Sequence, residues 1–246
     1  MIPKIIHYCW FGRGPKPQLA LDCIESWKRV LPEYEIKEWN EDNFDLDMYS
    51  YAREAYDNRK FAFVTDIVRM YALYYEGGVY MDTDVEMLKP LDPFLHHAAF
   101  SGFESENKYP TGLMAAEQGS KWAKDNLDWY EGKHMVKEDG TLDLTTNVII
   151  IMEVMKDLGV NVNLNNTYQD FPGYFTVYPS DYFCPYRPKT KELLATENSV
   201  CIHHFAGSWM PKPTLYNRIC VSLHKFLGEE LYYRCRNFKR KLVNNH

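Results

Sequence analysis

The stretch GGVYMDTDVEML (residues 77–88) combines a helix stop, a short apolar run and two aspartates one residue apart. Two successive glycines accept the left-handed conformation in which many helices end, so we expect a helix before Gly77. The apolar run at 79–81 predicts a buried strand. Side chains alternate along an extended chain, so Asp82 and Asp84 are predicted to project to the same side at the carboxyl end of this strand.

Short apolar runs and helical patterns alternate on both sides of this stretch. This order predicts one α/β domain with strands of the doubly wound kind. The runs that predict strands are PKIIHYCWFG (3–12), YEIKEWN (34–40) and SVCIHHFAGSW (199–209), and those that predict helices are residues 21–31, 48–76 and 145–159.

Composition narrows the class of protein. The chain has 246 residues, of which 46% are hydrophobic, so it can bury a full core. Its six cysteines include no Cys-x-x-Cys pair, which argues against a zinc ribbon, and the net charge of −6 does not indicate a nucleic-acid groove. We expect a cytoplasmic protein. The basic, aromatic end LYYRCRNFKRKLVNNH (231–246) predicts either contact with the inner face of a membrane or a solvated terminal helix.

The aspartate pair points to a divalent cation. Two ionised carboxylates held together repel each other, and a bound cation relieves that repulsion. Oxygen ligands suit Mg²⁺ or Mn²⁺, and such sites often keep positions open for substrate phosphates. The alternative is that Asp82 and Asp84 are ordinary solvated loop residues, since Asp-x-Asp also occurs by chance.

Two further pairs of residues support a polar site. Asp66 and Arg69 share one face of the preceding helix, where they would present a carboxylate and a guanidinium to a sugar or nucleotide, or form an ordinary surface pair. His203 and His204 lie on opposite faces of the last strand, so only one of them can reach a metal, and both could instead be structural.

Together these segments resemble a known family. KIIHYCWFG, FVTDIVRMYALYYEGGVYMDTDVEMLKPLD and IHHFAGSW resemble glycosyltransferase family 32, whose sugar-binding region contains a DXD motif. The resemblance is strong over residues 1–95, absent over 105–170 and present again over 177–209.

The resemblance implies a fold and an activity. The fold would be of the GT-A type, a Rossmann-like sheet with mixed strands and helical insertions on the acceptor side. Residues 1–100 would form the nucleotide-sugar half, 101–210 the acceptor half and 211–246 a basic helical tail. The activity would be retaining, Mn²⁺- or Mg²⁺-dependent transfer of a hexose from a UDP-sugar, or from GDP-mannose, to a saccharide or lipid-linked acceptor. Synthesis of capsular or other surface polysaccharide would be its role.

The resemblance also implies roles for single residues. Asp66 and Arg69 would contact the donor sugar, and Asp66 is one candidate for a catalytic nucleophile, with front-face attack by the acceptor as the alternative. Residues expected to bind the nucleotide or its phosphates are His7, Trp10, Ser208 and Trp209.

The resemblance also implies which residues would bind the metal. Asp84 would bind the cation directly, and Asp82 would contact the cation, its water, the ribose or the sugar. His204 is favoured as a further ligand, with His203 as the alternative.

Two matters stay open at this level. A nucleotidyltransferase, a nucleotide-sugar hydrolase or a non-catalytic carbohydrate-binding protein on the same fold would share much of this pattern. The acceptor pocket would come from the variable region, and its candidates, each of which could instead serve loop bonding or core packing, are Glu104, Tyr109, Asn147, Asp181 and Tyr182.

Overall fold

A computed structural model describes residues 1–105, 107–187 and 192–207. Residues Met1–Ala206 form one compact unit. The predicted tail at 211–246 lies outside the described residues, so the predicted division of the chain stays a prediction. The strands are β1 (Ile5–Cys9), β2 (Glu35–Trp39), β3 (Gly78–Met81), β4 (Val85–Met87), β5 (Ala99–Gly102), β6 (Leu113–Ala116), β7 (Gln169–Phe171), β8 (Phe175–Tyr178), β9 (Tyr186–Arg187), β10 (Glu192–Leu193) and β11 (Cys201–His203). The α-helices are α1 (Gln18–Val30), α2 (Ser50–Asp57), α3 (Phe61–Tyr75), α4 (Lys121–Asp128), α5 (Asn147–Asp157) and α6 (Ser180–Phe183).

A seven-stranded mixed sheet forms the centre, in the order β2-β1-β3-β6-β5-β8-β7. β1 runs parallel to β2 and β3, whereas β6 is antiparallel to both β3 and β5. β8 is parallel to β5, and β7 is antiparallel to β8. The predicted α/β class with a mixed central sheet is confirmed.

Hydrophobic residues cover both faces of the sheet. Successive side chains of β3 enter two different buried clusters. Val79 and Met81 pack in the same cluster as Trp27 of α1. Tyr80 packs in the other cluster, with Val68 of α3. Since successive side chains of a strand point to opposite faces, α1 and α3 lie on opposite sides of the sheet. The sheet is therefore the middle layer of a three-layer structure.

The long helix predicted over 48–76 is in fact two helices, α2 and α3. Arg59 adopts a left-handed conformation with φ of 57° between them. Its backbone N–H donates to the Tyr56 carbonyl, and the N–H of Lys60 donates to the Ala55 carbonyl, which closes the end of α2. Neither Gly nor Pro marks this break, so composition alone did not reveal it.

The predicted end of α3 is confirmed. Gly77 has a φ of 68°, and a Cβ at this position would lie 2.6 Å from the backbone nitrogen of Gln118. Glycine is required here by both conformation and space. Within the described ranges, no helix has the length and apolarity needed to cross a bilayer.

Candidate active site

Asp82 and Asp84 lie in a tight turn rather than in one extended strand. β3 ends at Met81 and β4 begins at Val85, whose backbone N–H donates to the Asp82 carbonyl over 3.0 Å. The backbone N–H of Asp82 donates to the Gly112 carbonyl at 2.8 Å. The prediction of an extended backbone through Asp82 and Asp84 is therefore wrong. The two carboxylates nevertheless share one site, as predicted, because the turn brings them together.

A third ligand comes from the far end of the sequence. Asp82, Asp84 and His203 each offer one ligand atom, and the three atoms lie within 4.8 Å of one another. β11 pairs antiparallel with β4, and in this register His203 lies opposite Val85. This pairing places the imidazole Nε2 3.3 Å from Oδ1 of Asp84.

The charge state of Asp84 suits a cation site. Burial acts to raise the pKa of Asp84, but the hydrogen bond and charge of His203, together with the backbone N–H of Ala206, hold that pKa below its usual range. The backbone N–H of Ala206 also donates to Asp84 Oδ2, at 2.7 Å. Asp84 is therefore ionised at neutral pH, as a metal ligand must be.

The residues present fit a divalent cation. The two carboxylates supply oxygen ligands of the kind that both Mn²⁺ and Mg²⁺ bind. The imidazole nitrogen suits Mn²⁺ better than Mg²⁺. The buried Nδ1 of His203 has no hydrogen-bond partner among the described residues. Gly112 keeps the space beside them open, because a Cβ there would lie 2.8 Å from Asp82 Oδ2 and 3.0 Å from His203 Cε1.

His204, the ligand favoured from the sequence, points elsewhere. Its Nε2 lies 2.9 Å from Glu86 Oε2, and it is not among the three clustered ligands. Adjacent residues at a strand end face opposite sides, so His203 takes the position beside Asp84 and His204 does not. The structure therefore places His203, the alternative, and not His204 beside the two aspartates.

Arg69 connects the helix pair to the metal cluster. Its Nη2 lies 3.1 Å from Asp66 Oδ1 and 3.4 Å from Asp82 Oδ1. Tyr80 adds a hydroxyl that donates to the same Asp82 oxygen at 2.8 Å, and its ring lies 4.6 Å from the guanidinium carbon. Asp66 and Arg69 are 7% and 6% exposed, so they are not an ordinary surface pair.

Burial has a clear effect on Asp66. It raises the pKa of this carboxyl to about 6, although the guanidinium of Arg69 acts in the opposite direction. The backbone of Asn147, the first residue of α5, also acts to lower this pKa.

His7 is a structural residue, which corrects its predicted place beside the nucleotide. The imidazole is fully buried. Its Nδ1 accepts from Trp39 Nε1 at 3.1 Å, so Nε2 carries the proton and donates to the Gly77 carbonyl at 2.7 Å. Both ring nitrogens are occupied, and burial lowers the pKa of the imidazole.

Trp10 follows the carboxyl end of β1 and borders a cleft. Its indole N–H donates to the Gly14 carbonyl at 2.6 Å, and the Lys16 ammonium lies 5.7 Å from its ring. A role beside a nucleotide stays a prediction, as do the roles of Ser208 and Trp209, which lie outside the described residues. The cleft has a volume of about 260 Å³ and is lined by Trp10, Arg13, Gly14, Lys16, Glu38, Asn40, Glu41 and Asp42.

Two residues of the site were not predicted. Tyr80 stands two positions before Asp82, so the alternation of β3 was the signal that could have found it. Gly112 lies in the segment without family resemblance, and nothing in its sequence marks it. Its place in the site depends on the pairing of β6 with β3.

Residues 17–101 match the family described as "Glycosyltransferase sugar-binding region containing DXD motif". This region contains Asp66, Arg69 and the Asp82-Thr83-Asp84 motif, so the resemblance to DXD glycosyltransferases is confirmed. His203 lies beyond the matched region, and its place in the site is a finding of the structure.

Curated relatives that match part of the chain come from Schizosaccharomyces pombe. Inositol phosphoceramide mannosyltransferase 3 is 30% identical over 122 residues, which cover 48% of this chain and 34% of the relative. Inositol phosphoceramide mannosyltransferase 1 is 30% identical over 110 residues, or 40% of this chain and 33% of the relative. The chain thus spans about a third of the length of these relatives.

Solved glycosyltransferases align along more of the chain at lower identity. The galactosyltransferase LgtC, in complex with donor and acceptor sugar analogs, is 12% identical with a TM-score of 0.46, covering 89% of this chain and 94% of its own. A glycosyltransferase involved in glycosylation of the major capsid of PBCV-1 is 13% identical with a TM-score of 0.46, covering 83% and 95%.

Proposed function

We propose that this protein is a metal-dependent retaining glycosyltransferase that moves a hexose from a nucleotide sugar to a saccharide or lipid-linked acceptor. One observation carries the proposal: Asp82, Asp84 and His203 converge within 4.8 Å beside a buried Asp66–Arg69 pair, inside and next to a DXD sugar-binding region. A donor with a diphosphate joined to a sugar matches both halves of this arrangement.

The clustered side chains would hold Mn²⁺ or Mg²⁺. When bound, the cation would stabilise the negative charge that develops on the leaving nucleoside diphosphate. Arg69 lies within ion-pair distance of Asp82 and adds a fixed positive charge on the same side. Because this guanidinium is nearly fully buried, water screens it little and its field reaches the neighbouring site.

Asp66 is better suited to holding the sugar than to attacking it. One oxygen of its carboxylate is paired with the guanidinium of Arg69 at 3.1 Å. A carboxylate held in this way has a fixed position and a reduced nucleophilicity. We therefore assign Asp66 and Arg69 to binding of hexose hydroxyls, and front-face attack by the acceptor becomes the favoured route to retention.

The names of the fission-yeast relatives bear on which donor and which acceptor this protein uses. The sequence resemblance favours a UDP-hexose, whereas the names of the fission-yeast relatives favour transfer of mannose, so GDP-mannose is an equal candidate here. The phosphoceramide in those names supports a lipid-linked acceptor. A role in surface polysaccharide synthesis at the inner face of a membrane, reached from the cytoplasm, completes the proposal.

Thermal unfolding with nucleotides tests this function. The chain is heated with UDP, GDP, CMP or dTDP, with and without Mn²⁺, and the series is repeated for Asp84→Asn. A ligand at about a hundred times its dissociation constant adds roughly 2.7 kcal/mol, which raises the midpoint by about 5 to 10 °C in a chain of this size.

We expect a Mn²⁺-dependent shift with one base and its loss in Asp84→Asn. Asp157→Asn, which changes an exposed carboxylate at the far end of α5, is the matched control and keeps the shift. No shift with any nucleotide in the presence of Mn²⁺ would overturn the proposal. A shift without hydrolysis of any nucleotide sugar would instead favour the non-catalytic binding protein.

A further inference from the structure

Phe205 has a backbone conformation that bulky residues rarely adopt. Its φ of 49° lies in the left-handed region, where the Cβ of an L-residue crowds the following carbonyl oxygen. Glycine and asparagine accept this conformation most readily, so an aromatic residue here is an outlier. Backbone strain of this kind concentrates at ligand-binding sites, where surrounding contacts must hold it in place. The contacts around Phe205 therefore show what the strained backbone achieves.

The residues on both sides of Phe205 contact Asp84. Nε2 of His203 lies 3.3 Å from Asp84 Oδ1. The backbone N–H of His204 donates to the Asp84 carbonyl at 2.9 Å, and that of Ala206 donates to Asp84 Oδ2 at 2.7 Å. A single left-handed residue bends an extended chain, and this bend lies between the His204 and Ala206 contacts. Phe205 therefore turns the chain so that it holds both the backbone and the carboxylate of Asp84.

The ring of Phe205 covers the imidazole of His203. The two ring centroids lie 4.1 Å apart, and the ring planes meet at 23°. Tyr186 of β9 lies against Phe205 in turn, with centroids 6.2 Å apart and an interplanar angle of 24°. The χ2 torsion of histidine is broad, so packing must fix the plane of the imidazole. Phe205 supplies that packing.

We infer that Phe205 is a positioning residue of the cation site, whose ring fixes the imidazole of His203 and whose left-handed backbone directs the Ala206 N–H to Asp84. This inference rests on the proposed function, since it concerns the metal that the donor diphosphate needs. Phe205 offers no ligand atom of its own. It acts through two of the three clustered ligands, and metal sites depend on outer contacts that orient their direct ligands.

Titration with cations tests the role of the ring. Phe205→Leu keeps an apolar side chain and the same backbone cost but removes the stacked ring, whereas Phe205→Tyr keeps the ring. Isothermal calorimetry of the full chain measures Mn²⁺ and Mg²⁺ binding to each variant. We expect Phe205→Leu to bind Mn²⁺ about tenfold more weakly, the lower end of the effect of outer contacts in metal sites. Phe205→Tyr should bind Mn²⁺ like wild type.

The ratio of the two affinities separates positioning from a general structural role. The imidazole nitrogen suits Mn²⁺ better than Mg²⁺, so a misplaced His203 weakens Mn²⁺ binding more, and the ratio of Mn²⁺ to Mg²⁺ affinity should fall by about threefold or more. A disturbed fold would weaken both alike. Phe171→Leu, the same substitution at a half-buried phenylalanine on the edge strand β7, is the control and keeps both affinities.

A second variant covers the case in which Phe205→Leu does not fold. Phe205→Asn lacks the ring but accepts the left-handed conformation, so it should fold and show the same fall in the affinity ratio. Thermal unfolding without added cation verifies that each variant is folded.

The outcomes are distinct. Unchanged Mn²⁺ affinity in the folded variants without the ring, equal losses for the two cations, or an equal loss in Phe205→Tyr would each overturn the role of Phe205 and leave the proposed transferase intact. If wild type binds neither cation, with UDP or GDP present or absent, the proposed metal-dependent function fails, and this inference fails with it.

Discussion

His203 and His204 are adjacent in the sequence but have different surroundings, because successive side chains of a strand point to opposite faces. His203 is buried, with Nε2 3.3 Å from Asp84 Oδ1. His204 is half-buried, with Nε2 2.9 Å from Glu86 Oε2. The pair therefore provides a site residue and its control at consecutive positions.

Replacing each histidine by glutamine should separate their roles. We expect His203→Gln to weaken Mn²⁺ binding by roughly tenfold or more, since even partners of metal ligands contribute that much. His204→Gln should bind Mn²⁺ like wild type, because its side chain lies outside the cluster. Calorimetric titration with Mn²⁺ measures both, and equal losses in the two variants would show that His203 is not a ligand.

Gly112 is required by the space its neighbours occupy. A Cβ there would lie 2.8 Å from Asp82 Oδ2, so Gly112→Ala must displace a metal ligand. We expect weaker Mn²⁺ binding and a loss of about 1 to 3 kcal/mol in the free energy of unfolding, as for other overpacked sites. Gly14→Ala, where a Cβ would meet no atom within 4 Å, should change neither quantity. Urea unfolding and Mn²⁺ titration of the two variants decide the matter.

The sequence predicted those site residues that are close along the chain. Asp66 and Arg69 share one helical turn, and Asp82 and Asp84 share one turn between strands, so local periodicity was sufficient. The choice between His203 and His204 depends on how β11 aligns with β4, a pairing of segments more than a hundred residues apart. No local pattern encodes that register.

At the scale of elements, the short connection from α3 to β3 determines where the DXD turn lies. Gly77 and Gly78 both have positive φ, and they turn the chain from the helix directly into the central sheet. The sequence predicted this junction because glycine is a local signal. It did not predict the break between α2 and α3, since Arg59 takes the left-handed conformation without a glycine.

Alanine at Gly77 should destabilise the fold strongly. The substitution combines a left-handed backbone with a Cβ 2.6 Å from the Gln118 nitrogen, an atom that cannot move easily. We expect a loss of about 2 to 4 kcal/mol from conformational strain and overpacking together. Gly119→Ala, with φ of 74° and no atom within 4 Å of the added Cβ, isolates the strain and should lose only about 1 kcal/mol. Similar losses for both variants in urea unfolding would show that crowding at Gly77 is unimportant.

For the whole molecule, the central sheet and the separate two-stranded sheet β11-β4 bring together groups that lie far apart in the sequence. β3 carries the DXD turn, β6 places Gly112 against it, and the β4–β11 pair brings His203 to the same edge. The sequence alone predicted the α/β class from alternating elements. It placed His7 at the nucleotide because the first strand as a whole resembles the family, yet His7 is mid-strand, whereas Trp10 follows the carboxyl end where ligands of such sheets bind.

His7 makes the stability of the whole fold dependent on pH. Its imidazole joins β1 to Trp39 of β2 and to the Gly77 carbonyl that precedes β3, and it does so in the neutral form. Burial lowers its pKa in the folded protein, whereas the unfolded chain titrates near the ordinary value of about 6.5. Below that pH the unfolded state binds more protons than the folded state. The contribution of His7 to stability is therefore fully present above about pH 6.5 and is lost as the pH falls.

Comparison with His7→Gln isolates this contribution from the other titrating groups. Glutamine can still donate to the Gly77 carbonyl but has no group that titrates, so the stability advantage of wild type should shrink between pH 7 and pH 5. The change should be no steeper than about 1.4 kcal/mol per pH unit, the limit for one proton. Urea unfolding at half-unit intervals gives both curves. A difference that stays constant with pH would mean that His7 titrates alike in the folded and unfolded states, and that its burial does not govern its charge.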